Sequence, residues 1–264
     1  MAAVSRNEEP VLLREEREGV VTLTMNRAQQ MNLLTGEMLA ALQKSLDEIS
    51  ASKSIRVVIL AATGKGFCAG HDLKEIRALG EQAKISALFE QCSRMMLSIE
   101  KLPQPVIAKV QGAAAAAGCQ LVAQCDLAVT VDTAKFVTSG VSWGFFCSTP
   151  GVAIGRNLQR KHALEMLLTG EPIDARRAME WGLVNRVVPA AELDAEAWKL
   201  AQTLASKPPA TVAAGKRGFY RQMEMAEDRA YAYAGQLISE DLAHPEGREG
   251  MSAFIDKRDP SWKR

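Results

Sequence analysis

The first chemistry suggested by this chain belongs to main-chain groups. The loop Gly64-Lys-Gly-Phe-Cys-Ala-Gly70 lies between an apolar run and the helix-competent Asp72-Leu-Lys-Glu-Ile segment. Backbone N–H groups near Gly70 and His71, at a helix start, suit an oxygen that gains negative charge during a reaction. A second small-residue segment, Gly112 to Gly118, follows another apolar run and offers a further N–H. Two such donors from separate loops make an oxyanion hole. The GxGxxxG spacing of the first loop fits dinucleotide binding poorly. That fingerprint is GxGxxG, and the residues where its ribose-binding acid should cap a second strand lie in helical pattern. The run Ala113 to Ala117 reads either as a short helix or as a place where small side chains allow close approach to the backbone.

Side-chain chemistry is sparser. Cys68, Cys92, Cys119, Cys125 and Cys147 are odd in number and form no CxxC, which points to a reducing compartment. His71, His162 and His244 are scattered without HxxxH or HExxH spacing, so no metal site is expected. With 32 Lys and Arg against 31 Asp and Glu, the formal charge is +1. A chain this neutral has no global field for nucleic acid or an anionic membrane, and an anionic partner must be held locally. The N-terminal MAAVSRNEEPVLLREE lacks both the apolar stretch of a signal peptide and the Arg-rich character of a transit peptide, giving a cytoplasmic expectation. Ala113 to Val129 is interrupted by Gln120, Gln124 and Asp126, and falls short of the ~20 residues of a membrane span.

The elements that must position these groups alternate. Val11 to Met25 reads as a hairpin turning at Arg17 to Gly19. Thr35 caps a helix carrying Met38, Leu39, Leu42 and Leu46 and ending near Ser50. Arg56 to Ala61 is a strand buried on both faces. A helix through Ile85, Leu88, Phe89, Cys92, Met96 and Ile99 ends at Pro103 and Pro105, before the strand Val106 to Val110. A further helix opens at Gly118, strands follow at Leu127 to Val131 and Lys135 to Thr138, and helices start near Ala163, Ala175 and Leu193. From Thr211 onward no strand candidate exists, so a helical appendage follows Pro208 and Pro209. At 264 residues, 47% hydrophobic and 24% charged, the chain is globular, with one large domain or a domain plus an appendage.

Four segments together resemble the enoyl-CoA hydratase/isomerase, or crotonase, superfamily over nearly the whole length: GKGFCAGHDLKEI (Gly64 to Ile76), QPVIAKVQGAAAAAGCQLVAQCDLAV (Gln104 to Val129), LEMLLTGEPIDARRAMEWGLVNRVV (Leu164 to Val188) and EGREGMSAFIDKR (Glu246 to Arg258). FCSTPGVAIGR and GCQLVAQCD are most similar to the subgroup called enoyl-CoA hydratase domain-containing protein 3. The resemblance implies an α/β crotonase-type ββα spiral core over 1–207 and a C-terminal helical oligomerisation segment over 208–264, giving a homotrimer or hexamer. It implies an acyl-CoA thioester as partner, coenzyme A as part of the substrate, and no prosthetic group. Its oxyanion donors map to the backbone of His71 and Ala117. Coenzyme A runs along His71, Asp72, Leu73 and Lys74, with Lys257 at its nucleotide end. Asp126 matches a structural acid of the family and is expected to fix a turn.

One departure is chemical. Where hydratases of the family carry two glutamates, Gln120 and Gly140 stand here. Hydration requires a water to lose a proton and the α-carbon to gain one; Gln120 orients water but exchanges no proton, and Gly140 has no side chain. Three readings follow: a family enzyme of acyl-CoA or fatty acid metabolism with weakened hydration, a noncatalytic acyl-CoA-binding or assembly protein, and a thioester-cleaving enzyme. The last needs an activated nucleophile, and Ser139, Ser142, Cys147, Ser148 and Thr149 have no evident base. His71 is expected to turn its ring to solvent, with service as a base the rival reading. Trp143, Phe145 and Phe146 are expected in the core, with an acyl tunnel as the rival. Arg156, Arg160 and Lys161 read equally as a phosphate site or a solvated helix face. Glu165 reads as an ordinary helix acid, and Cys119 and Cys125 as small core residues.

Overall fold

The computed structural model describes residues 9–263, so the expectation drawn from the N-terminal residues lies in part outside the described ones. The first hairpin pairs β1 (Leu12–Arg17) with β2 (Val20–Met25) about Glu18 and Gly19, both at positive φ. Thr35 then caps α1 (Gly36–Ala51), its hydroxyl accepting the Met38 N–H at 3.2 Å. The buried run becomes β3 (Val57–Ala62), followed by α2 (Leu73–Leu79) and α3 (Gln82–Lys101). Next come β4 (Val106–Val110), β5 (Ala114–Ala115), α4 (Ala117–Gln124), β6 (Leu127–Val131) and β7 (Lys135–Val137).

The chain continues through a 3-10 turn at Ser139–Trp143, α5 (Ser148–Asn157), α6 (Arg160–Thr169), β8 (Ile173–Asp174), α7 (Ala175–Glu180) and β9 (Arg186–Val188). It ends in α8 (Leu193–Ala205), α9 (Pro209–Met223), α10 (Glu227–Ala243) and α11 (Pro245–Ile255).

Six strands join one sheet in the order β1-β2-β3-β4-β6-β9, parallel from β2 onward. A second, small sheet runs β5-β7-β8. Each turn of chain gives a long strand to the first sheet and a short one to the second, and then goes helical. The pairs are β4 with β5 and β6 with β7, and β3 is matched by a single bridge from Cys68 to Ala114. This is the expected ββα spiral. Strands β8 and β9 escaped the sequence reading because two or three residues give no period to read. Helix α5 was hidden behind Pro150, which its first turn tolerates because the first N–H groups of a helix have no intrahelical acceptor.

Asp126 does more than fix a turn. Its carboxylate accepts the Val106 N–H at 2.7 Å, the Lys216 ammonium at 2.7 Å and the Tyr220 hydroxyl at 2.9 Å. Lys216 also donates to the carbonyls of Ile99 and Gln104. Burial, together with the Asp126 charge beside it, holds the Tyr220 phenol protonated, well above its ordinary range. One charged cluster thereby ties the first C-terminal helix, α9, to the start of β4. With side chains only 7% and 13% exposed, the Lys216 and Asp126 pair is far more damaging to break than to omit. Lys216→Met, which strands the carboxylate, should lower the unfolding free energy by about 3–5 kcal/mol in urea titrations. Adding Asp126→Asn should recover part of that loss, and strictly additive losses would refute the coupling.

Candidate functional site

The two glycine-rich bends meet backbone to backbone. The Phe67 N–H donates to the Ala113 carbonyl at 2.9 Å, and the Ala115 N–H to the Cys68 carbonyl at 2.8 Å. Gly118 lies so close that a Cβ there would collide with the Cys68 carbonyl oxygen. Gly70, at φ 88, has its Cα against the next bend, where a Cβ would sit 3.1 Å from the Ala117 nitrogen. The donors are therefore neighbours through Gly70. The Gly70 N–H itself is engaged, donating to Cys68 Sγ at 3.4 Å. No acceptor for the His71 N–H is found among the described residues. Ala117 opens α4, so its N–H has no intrahelical acceptor.

The first bend is held from behind by a residue that sequence reasoning missed. Asn32 is fully buried at φ 52, a backbone conformation that Asn tolerates better than most residues. Its amide donates to the carbonyls of Thr63 and Gly66 at 2.9 and 3.1 Å and accepts the Arg27 N–H at 2.9 Å. On the far side, the Glu75 carboxylate accepts the Gly36 N–H at 3.2 Å, tying α2 to the start of α1. An Asn in a polar stretch of sequence announces neither role.

A cavity of about 750 Å³ opens over the bends. His71, Asp72, Leu73 and Lys74 line it together with Ala117 and Gly140, so the structure brings six of the eight expected residues together. Gln120 stands behind this wall, 5% exposed, with Oε1 buried and unpaired. Lys257 follows α11 at φ 52, exposed and outside the cavity lining. Asp72, the sole carboxylate of the lining, is occupied as the α2 cap, accepting the Lys74 N–H at 2.7 Å.

Several expectations are overturned. The His71 ring does not face solvent; it packs on Phe89 with centroids 4.8 Å apart, and its Nε2 is buried without a partner. Burial pushes its pKa down to about 4, so the imidazole is neutral near pH 7 and a weak base. Trp143, Phe145 and Phe146 are not core residues: they are 74, 48 and 45% exposed and line the cavity. Phe89, placed on the buried face of its helix by periodicity, lines the cavity as well. Arg156, Arg160 and Lys161 are exposed away from it, as is Glu165, whereas Cys119 and Cys125 are buried as expected. Burial raises the Cys147 thiol pKa, opposed by a hydrogen bond from the Gly140 N–H.

Gly140 is closed as well as bare. A Cβ there would lie 2.8 Å from the Phe145 carbonyl oxygen, 2.9 Å from Cys147 Sγ and 3.0 Å from Phe145 Cδ2. The chain from Phe145 to Cys147 thus occupies the space into which any side chain at 140 would project.

A profile of the family described as enoyl-CoA hydratase/isomerase matches residues 15–264. The chain is 43% identical over 253 residues, 96% of its length, to the Xenopus laevis protein named enoyl-CoA hydratase domain-containing protein 3, mitochondrial, covering 86% of that protein. Among solved structures, an enoyl-CoA hydratase of Mycobacterium smegmatis superposes with a TM-score of 0.95 at 50% identity, with 97% and 100% of the two chains covered. Human enoyl-CoA hydratase domain-containing protein 3 superposes with a TM-score of 0.93 at 42% identity, with 96% and 100% covered. The vertebrate relatives are mitochondrial by name, which runs against the cytoplasmic expectation. No helix among the described residues is long and apolar enough to cross a membrane.

Two measurements follow from this geometry. Gly140→Ala should cost about 1–3 kcal/mol of stability through overpacking, and a neutral result in urea titration would refute the closure. The His71 imidazole binds its proton near pH 6.5 when unfolded but near 4 when folded, so its contribution to stability is complete above 6.5 and is lost as pH falls through that window. The wild-type advantage in unfolding free energy over His71→Gln should therefore shrink by roughly 3 kcal/mol across the window.

Proposed function

Because this chain belongs to the enoyl-CoA hydratase/isomerase family, we propose that its cavity binds an acyl-CoA thioester and polarises the carbonyl without the acid–base machinery of ordinary hydration. The observation that carries this reading is the contact of Gly70 with the Ala117 nitrogen, which makes neighbours of two amides from separate bends. The His71 and Ala117 N–H groups form the oxyanion hole. Main-chain donors are fixed before the substrate arrives, so they stabilise developing charge with little reorganisation. The segment His71 to Lys74 flanks the coenzyme A portion, which enters as part of the substrate.

Proton transfer is what this site lacks. The one lining carboxylate caps a helix, Gln120 carries an amide, and position 140 has no room for an acid. General acid–base catalysis supplies typically ~10² to 10⁴ in rate, so polarisation without it leaves hydration slow. The same observations favour a second reading, a noncatalytic acyl-CoA-binding or assembly protein with the pocket retained. Thioester cleavage has less support, since burial keeps the Cys147 thiol protonated and His71 is a weak base.

A homotrimer, or a hexamer of two trimers, belongs to the proposal. Phe219, Met223, Tyr231, Ile238, Phe254 and Ile255 on α9 to α11 are more than half exposed, an apolar surface that self-association would cover. Lys257 follows the last of those helices, which suits contact with coenzyme A in an assembly better than within one chain.

The wild-type protein should bind acyl-CoA in calorimetry yet hydrate crotonyl-CoA far more slowly than a glutamate-bearing hydratase; a rate equal to such an enzyme would refute the missing-acid argument. Ala117→Pro deletes one donor at the first helical position, where no intrahelical bond is lost, although its ring must fit beside Gly70 and after Ala116 at φ 48. It should erase the preference for acyl-CoA over free CoA, and any turnover present should fall by about 10² to 10³. Circular dichroism checks that the fold survives.

A further inference from the structure

The fold-back that closes the space above Gly140 has a second consequence, for the aromatic side chains of the same turn. The Phe145 N–H donates to the Gly140 carbonyl at 3.2 Å and the Ser148 N–H to the Phe146 carbonyl at 2.8 Å, folding the chain back on itself. With the Phe145 carbonyl and the Cys147 thiol packed against Gly140, the rings of Trp143, Phe145 and Phe146 are left on the cavity side, unburied. Across the cleft, α2 buries none of its residues; Leu73 is 57% exposed, and Ile76 lines the cavity with Phe89. Apolar side chains from two separate elements thus line one cavity.

Large apolar side chains exposed on both sides of one cleft mark a surface that an apolar ligand covers. The charged groups of the cleft do not contradict this. His71 is neutral near pH 7, Asp72 is a helix cap, and Lys74 sits on the His71 to Lys74 side, where a polar end group belongs. A cavity of about 750 Å³ is of the size that encloses a drug-sized ligand, and it takes in both the His71 to Lys74 segment and the apolar side chains proposed for the acyl group.

We propose that this cavity selects long apolar acyl groups over short ones, read by the aromatic residues Trp143, Phe145 and Phe146 with Ile76 and Phe89. The inference rests on the thioester-binding reading and adds to it the class of acyl group. The lack of room for an acid at position 140 and the aromatic wall then arise from one and the same turn.

Calorimetry of the full-length protein with CoA, butanoyl-CoA, octanoyl-CoA and dodecanoyl-CoA tests it; saturated chains cannot be hydrated, so binding alone is read. Each methylene taken fully out of water should tighten binding by about four-fold. A gain of at least tenfold from butanoyl to octanoyl, continuing to dodecanoyl, is the expected result. Trp143→Ser with Phe146→Ser, both exposed positions, should remove most of that gain per methylene. Thioesters that bind alike at every length, yet tighter than CoA, would overturn the chain-length inference and leave the thioester reading standing. An undiminished gradient in the double variant would overturn the assignment to the aromatic wall. Failure of every thioester to bind would overturn the thioester reading itself.

Discussion

The whole site depends on two peptide bends touching without side chains between them. Loop 64–70 and loop 112–118 exchange main-chain hydrogen bonds at Phe67, Cys68, Ala113 and Ala115, and this contact continues the small second sheet. Such an approach is possible only where a Cβ is missing, because Gly118 faces the Cys68 carbonyl and Gly70 faces the Ala117 nitrogen. The contact makes neighbours of two amides that are distant in sequence, and the layers behind it hold them there. Asn32 pins the first bend, and α4 starts at the second.

A site made of main-chain donors separates binding from chemistry. Replacing a side chain leaves an amide in place, so the proposed donor role of His71 and Ala117 does not depend on what their side chains are. Carboxylates have no such protection. At position 140 the loss is built into the packing, since the carbonyl of Phe145 and the thiol of Cys147 fill the space of a side chain. On the proposed reading, the chain keeps the geometry for a thioester carbonyl without the groups that would move protons around it.

Much of the core was legible because its signals are local. β-Branched runs such as Arg56 to Ala61 and Val106 to Val110 announce buried strands, and Thr35 announces a cap; both needed only near neighbours to be correct. Where a side chain's environment is made by distant segments, local reading failed. Periodicity put Phe89 on a buried face, which is sound for an isolated helix, but α2 and the 139–148 turn leave that face open to a cavity. Apolar character put Trp143, Phe145 and Phe146 in the core, whereas the fold-back over Gly140 left them unburied. Nothing in the local sequence marks Lys216, whose ion pair with Asp126 spans ninety residues.

The amino-acid sequence by itself determined the family, the ββα spiral and the absence of glutamate at positions 120 and 140, because these are properties of residue type, spacing and local pattern. Tertiary structure alone decided that the Gly70 amide is engaged by Cys68 while the His71 amide has no acceptor among the described residues, that Gln120 is buried outside the cavity lining, and that position 140 has no room for an acid. Each of these depends on which atoms from remote segments compete for the same few cubic ångströms, and chain order does not encode that competition.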